Sequence, residues 1–196
     1  MQKTIINLSN AFVGESQARN RYDMYAKIAK KEGYEQISAI FTETATQEQE
    51  HAKQLFRIIN QLRKDNPEDS GLEEIKIEAD VPVMLENTEK HLEAAINGER
   101  EEYEEMYPEF ARVAREEGLE DIAVRLAAIG EAEDHHRERY QKLLDGIRNG
   151  SLFKKEESID WVCRKCGYKH NGETPPEVCP SCSHPVAYFQ VQAEIY

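Results

Sequence analysis

Seven residues have types and spacing suited to holding metal ions: Glu15, Glu48, His51, Glu99, Glu102, Glu133 and His136. Glu48 with His51 and Glu133 with His136 each form E-x-x-H, which places carboxylate and imidazole on one face of a helix. Glu15 and Glu48 lie 33 residues apart, and Glu99 and Glu133 lie 34 apart, so the set reads as two similar helix pairs. The motif alone is weak, because thirty glutamates and six histidines can produce such a pair by chance. A second constellation is C-x-x-C, twelve residues, C-x-x-C: Cys163, Cys166, Cys179 and Cys182. Four thiolates in tetrahedral array take zinc or iron.

The elements that must position these groups follow from periodicity. A first helix over 4–32 carries Ile5, Leu8, Phe12, Glu15, Ala18, Tyr22, Ala26 and Ala29 on one stripe, and Gly33 ends it. A second helix over 35–64 carries Ile37, Ile40, Phe41, Ala45, then Glu48 and His51, then Leu55, Ile58, Ile59 and Leu62. A third, about 83–117, carries Leu85, Leu92, Ala95, Glu99, Glu102, Met106, Phe110 and Val113, with a kink expected at Pro108 and a stop at Gly118. A fourth, about 119–147, carries Ile122, Leu126, Ile129, Glu133, His136, Tyr140, Leu143 and Ile147.

The expected fold is therefore an all-α four-helix bundle over 1–147, with the loop 65–82 as its long crossover and a short extended piece at 75–79. Residues 148–160 read as a linker, and 161–196 as a small β-rich metal domain too short for a core of its own. All four stripes carry acids or histidines where core contacts belong. Burying one unpaired carboxylate costs several kcal/mol. Five together would exceed the roughly 5–15 kcal/mol stability of a domain. No Lys or Arg falls on these inner positions, so two cations are required, in the manner of di-iron or di-manganese carboxylate bundles.

Composition narrows the partners. With 38 acidic against 25 basic residues and a formal charge of −13, neither nucleic acid nor an anionic membrane surface is expected. No apolar run has the length of a signal peptide or membrane span, so a cytoplasmic location is expected. In a reducing compartment the cysteines read as a metal site.

The stretches "AFVGESQARNRY", "TQEQEHAKQLF", "INGEREEYEEMYPEFARVAREEG", "AEDHHRERY" and "WVCRKCGY…CPSCSHP" together resemble the rubrerythrin family over nearly the whole chain. The resemblance implies a ferritin-like bundle joined to a rubredoxin-like FeS4 domain, forming a homodimer or higher homo-oligomer. It implies a peroxidase that reduces hydrogen peroxide to water. The implied cofactors are an oxo- and carboxylate-bridged di-iron centre and one Fe in the four-cysteine site, which zinc can occupy by misloading. An external donor, a rubredoxin or an NAD(P)H-dependent reductase, would supply electrons.

By the same resemblance Glu48 and Glu133 bridge the irons, Glu15 and Glu99 are terminal ligands on different irons, and His136 binds the second. Glu102 and His51 exchange as ligand with redox state, and Tyr22 and Tyr103 stand near the site. The 65–82 loop is longer than in typical members and is expected to lie away from the centres of the ligand helices. A ferroxidase or iron-handling ferritin-like protein is the alternative reading.

Overall fold

The computed structural model describes residues 3–66 and 70–193. The sequence-based assignments at 1–2, 67–69 and 194–196 lie outside the described residues. Helices α1 (Lys3–Lys31), α2 (Glu35–Asp65), α3 (Thr88–Glu101), α4 (Tyr107–Glu116) and α5 (Glu120–Arg148) form the bundle, with one π-helical turn, Glu102–Met106, joining α3 to α4. Strands β1 (Ile159–Cys163), β2 (Lys169–Gly172) and β3 (Phe189–Val191) form an antiparallel sheet in the order β2-β1-β3.

Glycines close three of the helices: Gly33, Gly118 and, at φ +63° after α5, Gly150. After α1, Gly33 takes φ +85°, and the N–H groups of Gly33 and Tyr34 donate to Lys30 and Ala29. After α4, Gly118 at φ +76° does the same with Leu119 toward Arg115 and Ala114. This is the paired closure that a left-handed residue permits.

The core is two apolar clusters with a polar layer between them. Along α1 the chain passes from Ile5, Leu8 and Ala11, through Glu15, to Ala18, Tyr22, Tyr25, Ala26 and Ala29. Along α2 it runs the other way, from Ile37, Phe41 and Ala45, through Glu48 and His51, to Leu55, Ile59 and Leu62. The third chain segment again starts in the first of these clusters, at Leu92, Ala95 and Ile96, and ends in the second at Tyr107, Ala111 and Ala114. So α2 and α3 are parallel, and the chain between Asp65 and Thr88 must climb back along the whole bundle.

That crossover differs from expectation. Residues 83–87 are not helical, and Leu85 is exposed rather than on a core stripe. The helix starts at Thr88 because Asn87 caps it, its side-chain oxygen accepting from the Lys90 N–H at 3.0 Å. Residues 75–79 form no strand; Ile75 packs on the bundle against helical residues, with no neighbouring strand among the described residues to complete a ladder.

Pro108 does not simply kink the third segment. It has no N–H to give the Glu104 carbonyl, and just before it the ladder widens to i→i+5, with the Tyr107 N–H donating to the Glu102 carbonyl. The π-turn inserts one residue into the helix. The inward face after it is therefore Tyr107, Ala111 and Ala114, while Met106 and Phe110 are only half-buried.

Candidate metal centres

The polar layer gathers one set of donors from α1, α2, α3 and α5. Glu15, Glu48, His51 and Glu133 bring one ligand atom each to within 4.8 Å of one another, and so do Glu48, Glu99, Glu133 and His136. Glu48 and Glu133 belong to both groups. Each splits its two oxygens between them. His51 Nδ1 lies 3.0 Å from Glu48 Oε2 and 2.9 Å from Glu133 Oε1. His136 Nδ1 lies 3.1 Å from Glu48 Oε1 and 2.8 Å from Glu133 Oε2. Glu15 and Glu99 stand at the outer ends, 3.8 Å and 3.6 Å from His51 and His136. The helical i, i+3 spacing of the two E-x-x-H pairs produces this near-twofold arrangement.

The electrostatics of the layer follow from its burial. The four carboxylates of Glu15, Glu48, Glu99 and Glu133 are each no more than 1% exposed. Burial and then the Glu133 charge push Glu15 well above the usual carboxylate range. Burial raises Glu99 to about 8, although His136 pulls it down. Burial works against the ionisation of Glu48, but the His136 and His51 imidazoles beside it win and hold it at about 2. Burial lowers both imidazoles, but the surrounding carboxylates outweigh it, raising His51 and taking His136 up to about 12. Oxygens of Glu15, Glu48, Glu99 and Glu133, and His136 Nδ1, are buried with no hydrogen-bond partner among the described residues. Orphaned carboxylate oxygens and the orphaned His136 nitrogen, in two four-donor groups that each include an imidazole, make the donor set of two divalent or trivalent cations.

Glu102 lies on the π-turn, half-buried, and joins neither group. Its carboxyl is pushed well up by burial and by Glu15, Glu99, Glu133 and Glu48, so it stands within electrostatic reach of all four. Tyr22 donates to Glu99 Oε1 at 2.5 Å. Tyr103 is half-buried and makes no side-chain hydrogen bond among the described residues. The tyrosine on the other terminal carboxylate is Tyr107, fully buried and donating to Glu15. Uniform helical spacing hides it. Only the residue inserted by the π-turn brings Tyr107 onto the face of Glu99, and Pro108 was the available signal. The two contacts are reciprocal: α1 supplies Glu15 and the tyrosine for Glu99, and the α3–α4 segment supplies Glu99 and the tyrosine for Glu15.

The cysteines converge without distant help. Cys163 Sγ is 3.8 Å from Cys182 Sγ, and Cys166 Sγ is 3.7 Å from Cys179 Sγ. Metal–sulfur bonds of about 2.3 Å in a tetrahedron put sulfurs roughly 3.8 Å apart, so the cage fits one metal ion. Each knuckle closes by the same bond, Gly167 N–H to the Cys163 carbonyl and Ser183 N–H to the Cys179 carbonyl. The N–H of Tyr168 holds the Cys166 thiol down at about 6. The N–H of His184 acts likewise on Cys182, but burial and the neighbouring sulfurs push that thiol up to about 12. Trp161, Phe189, Cys163 and Cys179 form the small core beneath, with Trp161 Nε1 donating to the Gly172 carbonyl.

A family model described as rubrerythrin matches residues 7–144, and one described as rubrerythrin, rubredoxin-like domain matches residues 161–190. The chain is 54% identical over 197 residues to a putative rubrerythrin of Methanocaldococcus jannaschii, covering 100% of this chain and 96% of that one. Among solved structures, nigerythrin in a partially reduced state aligns at TM-score 0.62 and 30% identity, over 96% of this chain and 86% of that one. The bacterioferritin of Desulfovibrio desulfuricans aligns at TM-score 0.65 and 23% identity, over 76% and 82%, and shares the fold.

Proposed function

The chain belongs to the rubrerythrin family, and on that premise we propose that it is a non-haem iron peroxidase that reduces hydrogen peroxide to water. The bundle layer is the family's carboxylate/His di-iron site and the knuckles its rubredoxin-like four-cysteine site. The observation that supports the reading best is the pair of four-donor groups sharing Glu48 and Glu133, in one chain with a four-cysteine cage.

In this reading Glu15, Glu48, His51 and Glu133 hold one iron, and Glu48, Glu99, Glu133 and His136 the other. Bound iron supplies the two electrons that peroxide reduction consumes. The residues do the rest. Tyr22 and Tyr107 fix the two terminal carboxylates by donating to them. His51 and Glu102 are alternative donors. Replacing neutral His51 by anionic Glu102 would add one negative charge to the donor set, which would suit a more positively charged, oxidised pair. Iron held by Cys163, Cys166, Cys179 and Cys182 would supply one-electron transfer, fed by an external donor, a rubredoxin or an NAD(P)H-dependent reductase. The domains are 1–147, a linker 148–160 and 161–196, and the protein works in the cytoplasm as a homodimer or higher oligomer.

Anaerobic loading with iron, reduction, and rapid mixing with peroxide or with oxygen tests the reading. Oxidation much faster with peroxide is the expected result. An equal or faster reaction with oxygen overturns it.

A further inference from the structure

The crossover between α2 and α3 runs past the metal layer. Ile75 packs against one apolar cluster, and the Met84 carbonyl accepts from Tyr25 in the other, so the stretch between them spans the layer itself. There Glu78, Ala79, Asp80 and Pro82 form one wall of a cavity of about 330 Å³ whose opposite wall includes Gly14, Gly98 and Glu102. The expectation that this loop lies away from the centres of the ligand helices does not hold.

The two glycines matter by what they omit. Gly14 precedes Glu15 on α1, and Gly98 precedes Glu99 on α3, so each terminal carboxylate of the di-metal layer adjoins a position with no side chain. A Cβ added at Gly14 would come 3.9 Å from Glu102 Oε1, and one added at Gly98 would meet nothing within 4 Å. Of the wall between α1 and α3, only backbone stands at these two positions, and Glu102 lines the cavity beside them, in electrostatic reach of Glu15, Glu48, Glu99 and Glu133. Four of the lining residues, Glu78, Asp80, Glu101 and Glu102, are acidic, against one guanidinium at Arg21.

We propose that this cavity is the entrance to the di-metal layer, bounded by the crossover at 78–82 and admitting small neutral oxidants in preference to anions. Peroxide, uncharged at neutral pH, meets no repulsion from the acidic mouth, whereas an anion of similar size does. The preference for peroxide rests on the function proposed above; the route does not, because any small ligand of the loaded site can report on it.

The experiment compares the iron-loaded full chain with Gly98→Leu and with the double variant Glu78→Gln/Asp80→Asn. Gly98 sits inside a regular helix with free space at its Cβ position, so leucine improves helix propensity while filling the cavity. Two rates are followed in each protein: oxidation of the reduced site by peroxide, and the optical change when azide binds the oxidised site. Gly98→Leu is expected to slow both at least tenfold with unchanged iron content and circular dichroism. The double variant is expected to speed azide binding several-fold at low salt and leave the peroxide rate within twofold. Unchanged azide binding in Gly98→Leu overturns the route and directs attention to the partly exposed side of His51. Equal acceleration of azide and peroxide in the double variant overturns the charge preference. If the unsubstituted protein fails to react with peroxide, the proposed function fails, and the azide measurements still decide the route.

Discussion

The four sulfurs come from two short knuckles between Cys163 and Cys182, each closed by a hydrogen bond from the residue after its second cysteine. The bundle donors come from positions as far apart as Glu15 and His136, and no two helices suffice to assemble them. The small sheet has a core of four fully buried residues, two of them cysteines, so its metal is part of its core. The bundle layer has an apolar cluster on either side, and with their raised pKa values Glu15 and Glu99 can take up protons when no cation is bound, so the clusters can hold the four helices without the metal. One centre should therefore depend on its metal for its fold, while the other depends on its fold for its metal.

The sharpest way to break this contrast is Cys179→Ala. A structural metal in a small domain is worth about 10–16 kcal/mol, so its loss should unfold residues 159–193 while the helices persist. Limited proteolysis should cut within that segment, and the helical circular dichroism should stay near the parent value. Simultaneous loss of bundle helicity would show that the two regions stand or fall together.

A smaller effect is expected from Glu48→Ala. It removes one oxygen from each four-donor group, so iron bound in the bundle should fall below one per chain with the helices intact. Glu99→Ala affects only one group and should spare one iron. Metal analysis on proteins with the four-cysteine site loaded separates the cases; equal loss from both variants would mean that Glu48 is not shared.

Next in size are the tyrosines. Groups that orient metal ligands typically change affinity 10–100-fold when removed. Tyr107→Phe and Tyr22→Phe should each lower iron affinity in that range by competition with a chelator, and Tyr103→Phe should not. A fall for Tyr103→Phe comparable to Tyr107→Phe would contradict the assignment of Tyr107 to Glu15.

What could be read from residue spacing follows the same division. C-x-x-C knuckles are local, and E-x-x-H on a regular helix is local too, so both sets of ligands are legible. The direction of α3 is also legible, since a long connection between α2 and α3 permits them to be parallel. The role of Tyr107 is not. Extrapolating one helical period through Glu99 and Glu102 points inward at Met106, and only a π-turn moves Tyr107 onto that line. Sequence rules place a disturbance at Pro108 but do not say whether the chain bends or absorbs a residue. The course of the crossover past Gly14 and Gly98 is set by packing of Ile75 and by the Tyr25 hydrogen bond, neither of which has a sequence period.

Within the bundle, Glu117 tests whether the ends matter as little as the contrast implies. Its oxygens accept from the N–H groups of Lys3 and Thr4 at 2.8 and 3.0 Å, closing the start of α1 with a carboxylate from the end of α4. Burial works against its ionisation, but the hydrogen bonds from Thr4 and Lys3 win and hold its pKa below the usual range. A depressed folded-state pKa contributes stability above the unfolded value of about 4.3 and loses it as pH falls through the folded value. Glu117→Gln should therefore cost about 0.5–1 kcal/mol at pH 7, discounted for its partial exposure, and progressively less in acid. Urea titrations of both proteins at pH 7 and about pH 3.5, below the unfolded value, check the sign. A gap that widens in acid would refute it.

The finest comparison lies inside the small domain, between its two knuckles. Gly167 and Ser183 occupy equivalent places after the second cysteine, with φ +77° and +59°. Left-handed backbone costs a non-glycine residue about 1–2 kcal/mol, offset in part because glycine loses more freedom on folding, about 0.5–1 kcal/mol. Ser183→Gly should thus stabilise the knuckle by up to about 1 kcal/mol, and Gly167→Ser should destabilise the other by a similar amount. A Cβ at Gly167 would meet nothing within 4 Å, so the second change tests backbone conformation rather than crowding. Thermal release of metal from the four-cysteine cage should move up a few degrees in the first variant and down in the second. Movement in the same direction would mean that the two knuckles, despite their matching hydrogen bonds, do not share one strained geometry.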